Sequence, residues 1–113
     1  MSSDLTFSKY QTDSKSTDLY AQFGDSLLMH CLGLTGEVGE LAEKIKKVIR
    51  NDGRIFDATN LPAIQKEIGD ILWYLAQIAT DLGIDLGESA SQNREKLLDR
   101  QARDVIKSVG DVR

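Results

Sequence analysis

The chain has 113 residues and a formal net charge of −4, which fits a single domain with an acidic surface. Its only cysteine, Cys31, excludes a disulfide within the chain, and no block of lysines and arginines marks a nucleic-acid-binding surface. No apolar run reaches about 18 residues, the length of a membrane span, and the polar N-terminus lacks the apolar core of a signal peptide. We therefore expect one domain over residues 1–113, flexible at 1–4 and 108–113, in a cytoplasmic protein that binds neither nucleic acid nor a membrane.

The first predicted element is a short helix over residues 5–15, in which Leu5, Phe7 and Tyr10 can act as apolar anchors. The following residues, 16–22, fit either a helix or a connection. The sequence therefore leaves the conformation of this second segment open.

A long helix is predicted to begin after Gly24, which breaks the preceding segment, and Asp25, a typical N-cap residue. From residue 26 to about residue 50, apolar side chains recur at spacings of three and four. Three glycines lie three residues apart in this helix: Gly33, Gly36 and Gly39. Because a glycine inside a helix costs about 1 kcal/mol relative to alanine, this repetition predicts close approach by another helix or by a ligand.

A loop over residues 51–60 separates this helix from the strongest helical pattern in the chain, residues 61–82. Thr59 or Asn60 can cap the second long helix, and Gly83 ends it. Its apolar side chains form a broad stripe, which predicts burial against other helices.

The last helix is predicted over roughly residues 86–107, opened by Asp85 and Glu88 in the arrangement of a capping box. The sequence contains no strand pattern and no internal repeat. The predicted fold class is therefore all-α, in a four-helix-bundle arrangement. A four-helix chain this short often needs a partner to bury its apolar faces fully.

Two pairs of carboxylates stand out within the two long helices. Each pair has a spacing of three residues, which places both side chains on one helix face: Glu37 with Glu40, and Glu67 with Asp70. The 26 residues between the pairs are enough to finish one helix, turn and begin an antiparallel one. Four carboxylates would then face each other, and because like charges raise one another's pKa, a cation would stabilise them. Mg²⁺ with phosphates is the usual pairing for such ligands, which predicts a metal-dependent enzyme with a phosphate substrate.

Further polar side chains continue these two stripes at helical spacing, and a third stripe lies on the last helix. The additional residues are Lys44, Tyr74, Asn93, Lys96 and Arg100. Cations can bind the outer phosphates of a nucleoside triphosphate, and the tyrosine ring can stack on a base or hydrogen-bond a phosphate or sugar. We therefore predict that these residues bind substrate.

The segments 33–47 and 67–86, GLTGEVGELAEKIKK and EIGDILWYLAQIATDLGIDL, resemble the MazG family of all-α nucleoside triphosphate pyrophosphohydrolases. The family signature is an ExxE pair and an ExxD pair on antiparallel helices, and the resemblance covers about residues 6–100, including Tyr10-Gln11. It implies a MazG-like fold assembled as a homodimer or homotetramer (a dimer of dimers), often with a site completed by a neighbouring subunit. It also implies hydrolysis of (deoxy)nucleoside triphosphates to the monophosphate and pyrophosphate. Water would attack the α-phosphorus with the help of two or more Mg²⁺ or Mn²⁺ ions.

The resemblance also implies roles for individual residues. The catalytic metal ligands of the family match Glu37, Glu40, Glu67 and Asp70. A later Asn-x-x-Lys-Leu-x-x-Arg pattern matches Asn93, Lys96 and Arg100, which are expected near the phosphates. Tyr74 matches a position that can touch substrate in relatives.

The chain departs from the family pattern in two places. Gly36 stands where many relatives have the first of two adjacent glutamates, so the water-activating base has no obvious equivalent. Gln101 and Ala102 follow the arginine where many relatives have Tyr-Pro, which bears on how the site closes.

Two other classes of function compete with this reading. A carboxylate-bridged di-iron bundle needs Glu-x-x-His pairs, and His30 is not in one. A non-catalytic helical interaction protein derived from the family would not need the acidic pairs. Within the enzyme class, both a house-cleaning enzyme and one selective for a dNTP such as dGTP or dCTP remain open. We expect packing roles for His30 and Cys31, and a core or interface role for Trp73.

Overall fold

The computed structural model describes the backbone of residues 4–110 and the side chains of residues 4–104. Within those limits the chain is all-helical, with four α-helices, a short 3₁₀ turn and no strand, so the all-α part of the predicted fold class is confirmed. The helices are α1 (Phe7–Lys15), α2 (Ser26–Asn51), α3 (Leu61–Asp81) and α4 (Leu86–Gly110), and the 3₁₀ turn spans Tyr20–Phe23. Residues 1–3 and 111–113, which belong to the predicted flexible ends, lie outside the described residues.

Side-chain caps fix the starts of α1 and α2. Thr6 accepts a hydrogen bond from the backbone N–H of Lys9 at 3.0 Å, and Asp25 accepts one from that of Leu28 at 3.1 Å, as predicted. Gly24, immediately before this cap, has a φ of +91°, which glycine adopts without steric cost. Because the first amide groups of a helix have no partner within it, these side-chain acceptors set where the two helices begin.

The predicted caps of α3 and α4 form only in part. Asn60 occupies the N-cap position of α3, but its side chain donates to the Ile55 carbonyl in the preceding loop, at 2.9 Å. Asp85 accepts from the backbone N–H of Gly87 at 3.1 Å. The second half of the predicted capping box is wrong, because Glu88 instead accepts from a side-chain amide one turn further along α4.

The antiparallel pair of α2 and α3 is the centre of the fold. The pairing is shown by contacts that run in opposite directions along the two helices: His30 with Asp81, Gly33 with Tyr74, and Lys44 with Glu67. α1 lies across α3, and α4 packs on α1 and α3 without contacting α2 along the described part of its length. Among the described residues the buried apolar side chains are few: Val48, Ile64, Ala76 and Ala79.

Polar contacts, rather than the predicted apolar anchors, hold α1 in place. Leu5 and Phe7 are 58% and 46% exposed, so their prediction as anchors is wrong. The side chain of Gln11 instead donates to the Ile84 carbonyl at 2.8 Å and accepts from the Leu86 N–H at 2.7 Å. One amide group therefore joins α1 to the connection between α3 and α4.

His30 lies at the centre of a buried polar contact between α2, α3 and the segment before the 3₁₀ turn. It is fully buried, with Asp18 at 3.0 Å from Nε2 and Asp81 at 2.5 Å from Nδ1. Burial alone would lower the pKa of His30, but the hydrogen bonds and charges of the two aspartates outweigh it and raise the pKa. Three rings surround the imidazole: Tyr20, Trp73 and Tyr74. Cys31 is exposed, so its predicted packing role is wrong.

Large apolar side chains lie on the surface of α3 at regular spacing. Four of them, each 40–54% exposed, recur every seven residues and are named here the α3 stripe: Leu61, Ile68, Leu75 and Leu82. Seven residues are close to two helical turns, so these side chains share one face. The radius of gyration is 18.3 Å, whereas a compact domain of this length would have about 13 Å. The chain is therefore extended, and its helices cover one another incompletely.

No helix among the described residues is both long and apolar enough to cross a membrane.

Candidate metal centre

The α2–α3 pair brings together three of the four predicted metal ligands. Glu37, Glu67 and Asp70 each place a carboxylate oxygen within 4.8 Å of the other two, and we call these three side chains the carboxylate cluster. The spacing of three residues puts Glu67 and Asp70 on one face of α3, and the antiparallel pairing turns that face toward Glu37 on α2. The predicted meeting of the two acidic helix faces therefore occurs within one protomer.

When both glutamates are ionised, two oxygen atoms of the carboxylate cluster are buried without a hydrogen-bond partner among the described residues. They are Oε2 of Glu37 and Oε1 of Glu67. The Glu67 side chain is almost completely buried, and its other oxygen, Oε2, lies 3.0 Å from Nζ of Lys44. Leaving a buried acceptor unsatisfied is costly, so a positive charge bound beside these oxygens would stabilise the cluster. All of its donor atoms are carboxylate oxygens, which hard divalent cations favour.

The pKa values of the cluster respond to the same crowding. A proton on Glu37 that is shared with Glu67, together with burial and the charges of Glu40 and Asp70, raises the pKa of Glu37 to about 7. The pKa of Glu67 is lowered, first by that hydrogen bond from Glu37 and then by Lys44. In the absence of a metal ion, the cluster therefore retains a proton on Glu37 up to about neutral pH.

Glu40, the fourth predicted ligand, lies beside the carboxylate cluster and not inside it. Its side chain is exposed on α2, one turn from Glu37. Its negative charge still contributes to the raised pKa of Glu37, which places it close to the cluster. Its role as a metal ligand remains a prediction.

Tyr74 lies at the end of the cluster away from the α2–α3 loop. Its hydroxyl is 3.2 Å from that of Tyr20, and this hydrogen bond, burial and the nearby negative charges raise the pKa of Tyr74 to about 12. A Cβ atom at Gly33 would overlap the Tyr74 ring, so the close approach predicted there is that of a side chain. Gly36 and Gly39 have nothing within 4 Å of where a Cβ would lie, so their predicted close approach is absent from the described protomer.

The predicted phosphate ligands on α4 are not brought to the cluster within the protomer. Asn93, Lys96 and Arg100 are all exposed. The first two line a shallow groove on α4 with Ser89 and Gln92. The described part of α4 does not contact α2, which carries Glu37, and none of the three side chains forms a hydrogen bond or ion pair with the carboxylate cluster.

Two tyrosines near the cluster were not predicted as site residues. Burial and the charge of Asp70 raise the pKa of Tyr10, so α1 presents this ring to the α3 side of the cluster. Tyr20 holds the Tyr74 hydroxyl from the 3₁₀ turn. The resemblance pointed to Tyr10 without a role, whereas Tyr20 lies in the segment whose conformation the sequence left open.

Comparisons with known proteins agree with the resemblance drawn from the sequence. The family model described as MazG nucleotide pyrophosphohydrolase domain matches residues 23–104, which include every predicted site residue. The chain is also similar to the Gene 37 protein of Mycobacterium phage L5. The two are 37% identical over 109 residues, which cover 92% of this chain and 96% of that protein. No solved structure matches the chain.

The proton on Glu37 gives the metal-free protein a defined pH dependence. The pKa of Glu37 is about 7 when folded and 4.5 in its ordinary state, so the folded form is favoured while the carboxyl is protonated. This stability is complete below about pH 4.5 and is lost as the pH rises to about 7. In Glu37→Gln the amide is neutral at every pH and can still donate to Glu67. We expect the variant's melting temperature to match wild type near pH 5 and to exceed it by several degrees at pH 8.

Circular dichroism melts in excess EDTA from pH 5 to pH 8 would measure this difference. Glu95→Gln, which neutralises an exposed glutamate on α4, is the matched control and should show no such trend. A difference between Glu37→Gln and wild type that stays constant with pH would contradict the assignment.

Proposed function

The chain belongs to the MazG nucleotide pyrophosphohydrolase family, and on that premise we propose that it hydrolyses (deoxy)nucleoside triphosphates to the monophosphate and pyrophosphate. The observation that carries the proposal is the carboxylate cluster with its two buried, unpartnered oxygens. An enzyme that binds a metal–triphosphate complex needs free carboxylate oxygens as metal ligands. Leaving them without a partner destabilises the metal-free protein, and the cation removes that cost when it binds.

The residues of the chain have separable roles in this proposal. Glu37, Glu67 and Asp70 would hold Mg²⁺, which Mn²⁺ can replace, and Glu40 would add a ligand from beside them. Two or more such ions, when bound, neutralise the phosphate charge and lower the pKa of the attacking water. Lys44 holds Oε2 of Glu67 at 3.0 Å, and its ammonium group is thereby placed where a phosphate oxygen can also accept a hydrogen bond from it.

A non-catalytic interaction protein derived from the same family is the competing reading. Such a protein would gain nothing from three carboxylates at this separation, since buried charges are costly and apolar replacements would stabilise the α2–α3 contact. The unpartnered oxygens of Glu37 and Glu67 therefore favour a catalytic role. The cellular role would be control of the nucleotide pool or removal of unwanted nucleotides, with dGTP and dCTP as the candidates for a selected substrate.

Self-association is the second part of the proposal. The α3 stripe exposes four large apolar side chains at heptad spacing, the pattern of a helix–helix seam. We propose that a second copy of the chain covers this stripe in a homodimer or a dimer of dimers. In such an assembly Asn93, Lys96 and Arg100 would act on the carboxylate cluster of a neighbouring subunit.

Product analysis with a nucleotide panel tests the activity. We expect the wild-type protein, with Mg²⁺ or Mn²⁺, to release monophosphate and pyrophosphate from at least one of the eight common NTPs and dNTPs. Asp70→Asn removes one charge from the cluster at little change in shape, so we expect at least a hundredfold loss of turnover, on the order seen when a catalytic group is removed. The rate order among the eight substrates would identify the selected base.

Asp13→Asn, which neutralises an exposed aspartate on α1, is the control and should keep wild-type activity. Diphosphate with phosphate as products would mean that a different bond is broken. No turnover of any nucleotide by the wild-type protein would support the non-catalytic reading.

Light scattering tests the assembly. Leu75→Glu places a charge in the middle of the α3 stripe, and because burying an unpaired carboxylate is costly, we expect the variant to dissociate at micromolar concentration. Ile55→Glu makes the same change at an exposed loop position and should leave the mass unchanged. A wild-type protein that is already monomeric at micromolar concentration would refute this part of the proposal.

A further inference from the structure

A depression with a largely apolar floor and several polar side chains adjoins the carboxylate cluster, between the end of α2 and the start of α3. It has a volume of about 250 Å³. Its polar lining includes Lys44, Lys47, Asn51, Asp52 and Asn60. Ligand pockets for whole drug-sized molecules have volumes of about 300–1,000 Å³, so this groove suits a smaller group than a complete nucleotide.

One side chain, that of Lys44, borders both the groove and the carboxylate cluster. Lys44 lines the groove and also lies 3.0 Å from Oε2 of Glu67. On α3, Ile64 lines the groove one turn before Glu67. A ligand that extends from the cluster toward the α2–α3 loop would therefore enter the groove and pass Lys44 first.

Two lysines give the groove positive charge that nearby carboxylates offset only in part. Lys47 lies one turn beyond Lys44 on the same face of α2. It forms no close ion pair with a described residue, but its charge lies near that of Glu43, one turn back along α2. The N-terminus of α3, whose N-cap residue Asn60 makes no capping bond, adds the partial positive charge of the helix dipole. Asp52 is the one carboxylate among the lining residues and partly opposes this charge.

We infer that this groove binds the pyrophosphate end of the substrate, with Lys47 as a ligand of the outer phosphates that neither the sequence patterns nor the family match identified. The inference rests on the proposed function and gives the substrate a direction along the α2–α3 pair. The α-phosphate lies at the carboxylate cluster, the β- and γ-phosphates lie toward the loop, and the nucleoside lies toward Tyr74.

This placement gives the two lysines a role in bond cleavage. Water adds its oxygen to the α-phosphorus, and the bond from that phosphorus to the oxygen bridging to the β-phosphorus breaks. The electron pair of that bond leaves with pyrophosphate, and the proton lost by the water passes to solvent. Because negative charge accumulates on the departing pyrophosphate, Lys44 and Lys47 would stabilise it as it forms.

Calorimetric titration of pyrophosphate with Mg²⁺ into the whole protein tests the inference without requiring turnover. We expect Lys47→Gln to weaken pyrophosphate binding about tenfold, the size of one lost charge-assisted hydrogen bond. The matched control is Lys46→Gln, which removes the same charge from the preceding residue of α2. Lys46 pairs with Glu43 at 3.0 Å and does not line the groove, so this variant should bind pyrophosphate within about twofold of wild type.

A second variant gives a change that misfolding cannot produce. Asp52→Asn removes the opposing carboxylate from the groove, and we expect it to tighten pyrophosphate binding several-fold. Neither Lys47→Gln nor Asp52→Asn should alter the affinity for a deoxynucleoside monophosphate, which would occupy the cluster and the Tyr74 end only.

If Lys47→Gln and Lys46→Gln lost pyrophosphate affinity equally, the loss would be explained by net charge alone, and the inference would be overturned. Equal weakening of monophosphate binding by Lys47→Gln would overturn it as well, because the groove would then not be specific to the outer phosphates. Lys47-dependent pyrophosphate binding in a protein that hydrolyses no nucleotide would uphold the groove and refute the proposed function. Nucleotide hydrolysis at the wild-type rate in Lys47→Gln would uphold the proposed function and refute the groove as the pyrophosphate site.

Discussion

The mutual repulsion of Glu37, Glu67 and Asp70 is the constraint on which the rest of the structure depends. The α2–α3 pair holds oxygens of these three carboxylates within 4.8 Å of one another, and no more than four apolar residues among those described are buried to offset the cost. The protein tempers the repulsion with a proton on Glu37 and with the ammonium group of Lys44. Both devices are weaker than a divalent cation, which is why the metal-free site is poised to bind one.

Contacts outside the site keep the two helices in register. The buried His30, between Asp18 and Asp81, ties α2 to α3 at the end opposite the loop. Beside it, Tyr20 and Gly33 confine Tyr74 against the cluster. Because each of these groups is packed or hydrogen-bonded from several sides, α2 and α3 cannot slide past each other, and the carboxylates cannot move apart in that way to relieve their repulsion.

Much of this arrangement follows from spacing alone. The interval of three residues and the helical period predicted that Glu67 and Asp70 share a face, and the loop length predicted the antiparallel return that brings Glu37 to them. Contacts that depend on the tertiary environment were beyond such reasoning. The anchoring of α1 by Gln11 and the exposure of Leu5 follow from the position of the α3–α4 connection, which no local pattern encodes. The separation of the α4 stripe from the cluster likewise reflects how helices meet, since one sequence period fits several packings.

The most direct test of the account is Mn²⁺ binding, followed by the loss of the free-ion signal in electron paramagnetic resonance. Wild-type protein should bind Mn²⁺ with saturation, Mg²⁺ should compete, and Glu67→Gln should abolish binding because it removes the most buried carboxylate of the cluster. Glu95→Gln, on the exposed face of α4, should bind as wild type does. Undiminished binding in Glu67→Gln, or no binding in the wild-type protein, would contradict the assignment of this cluster as the metal centre.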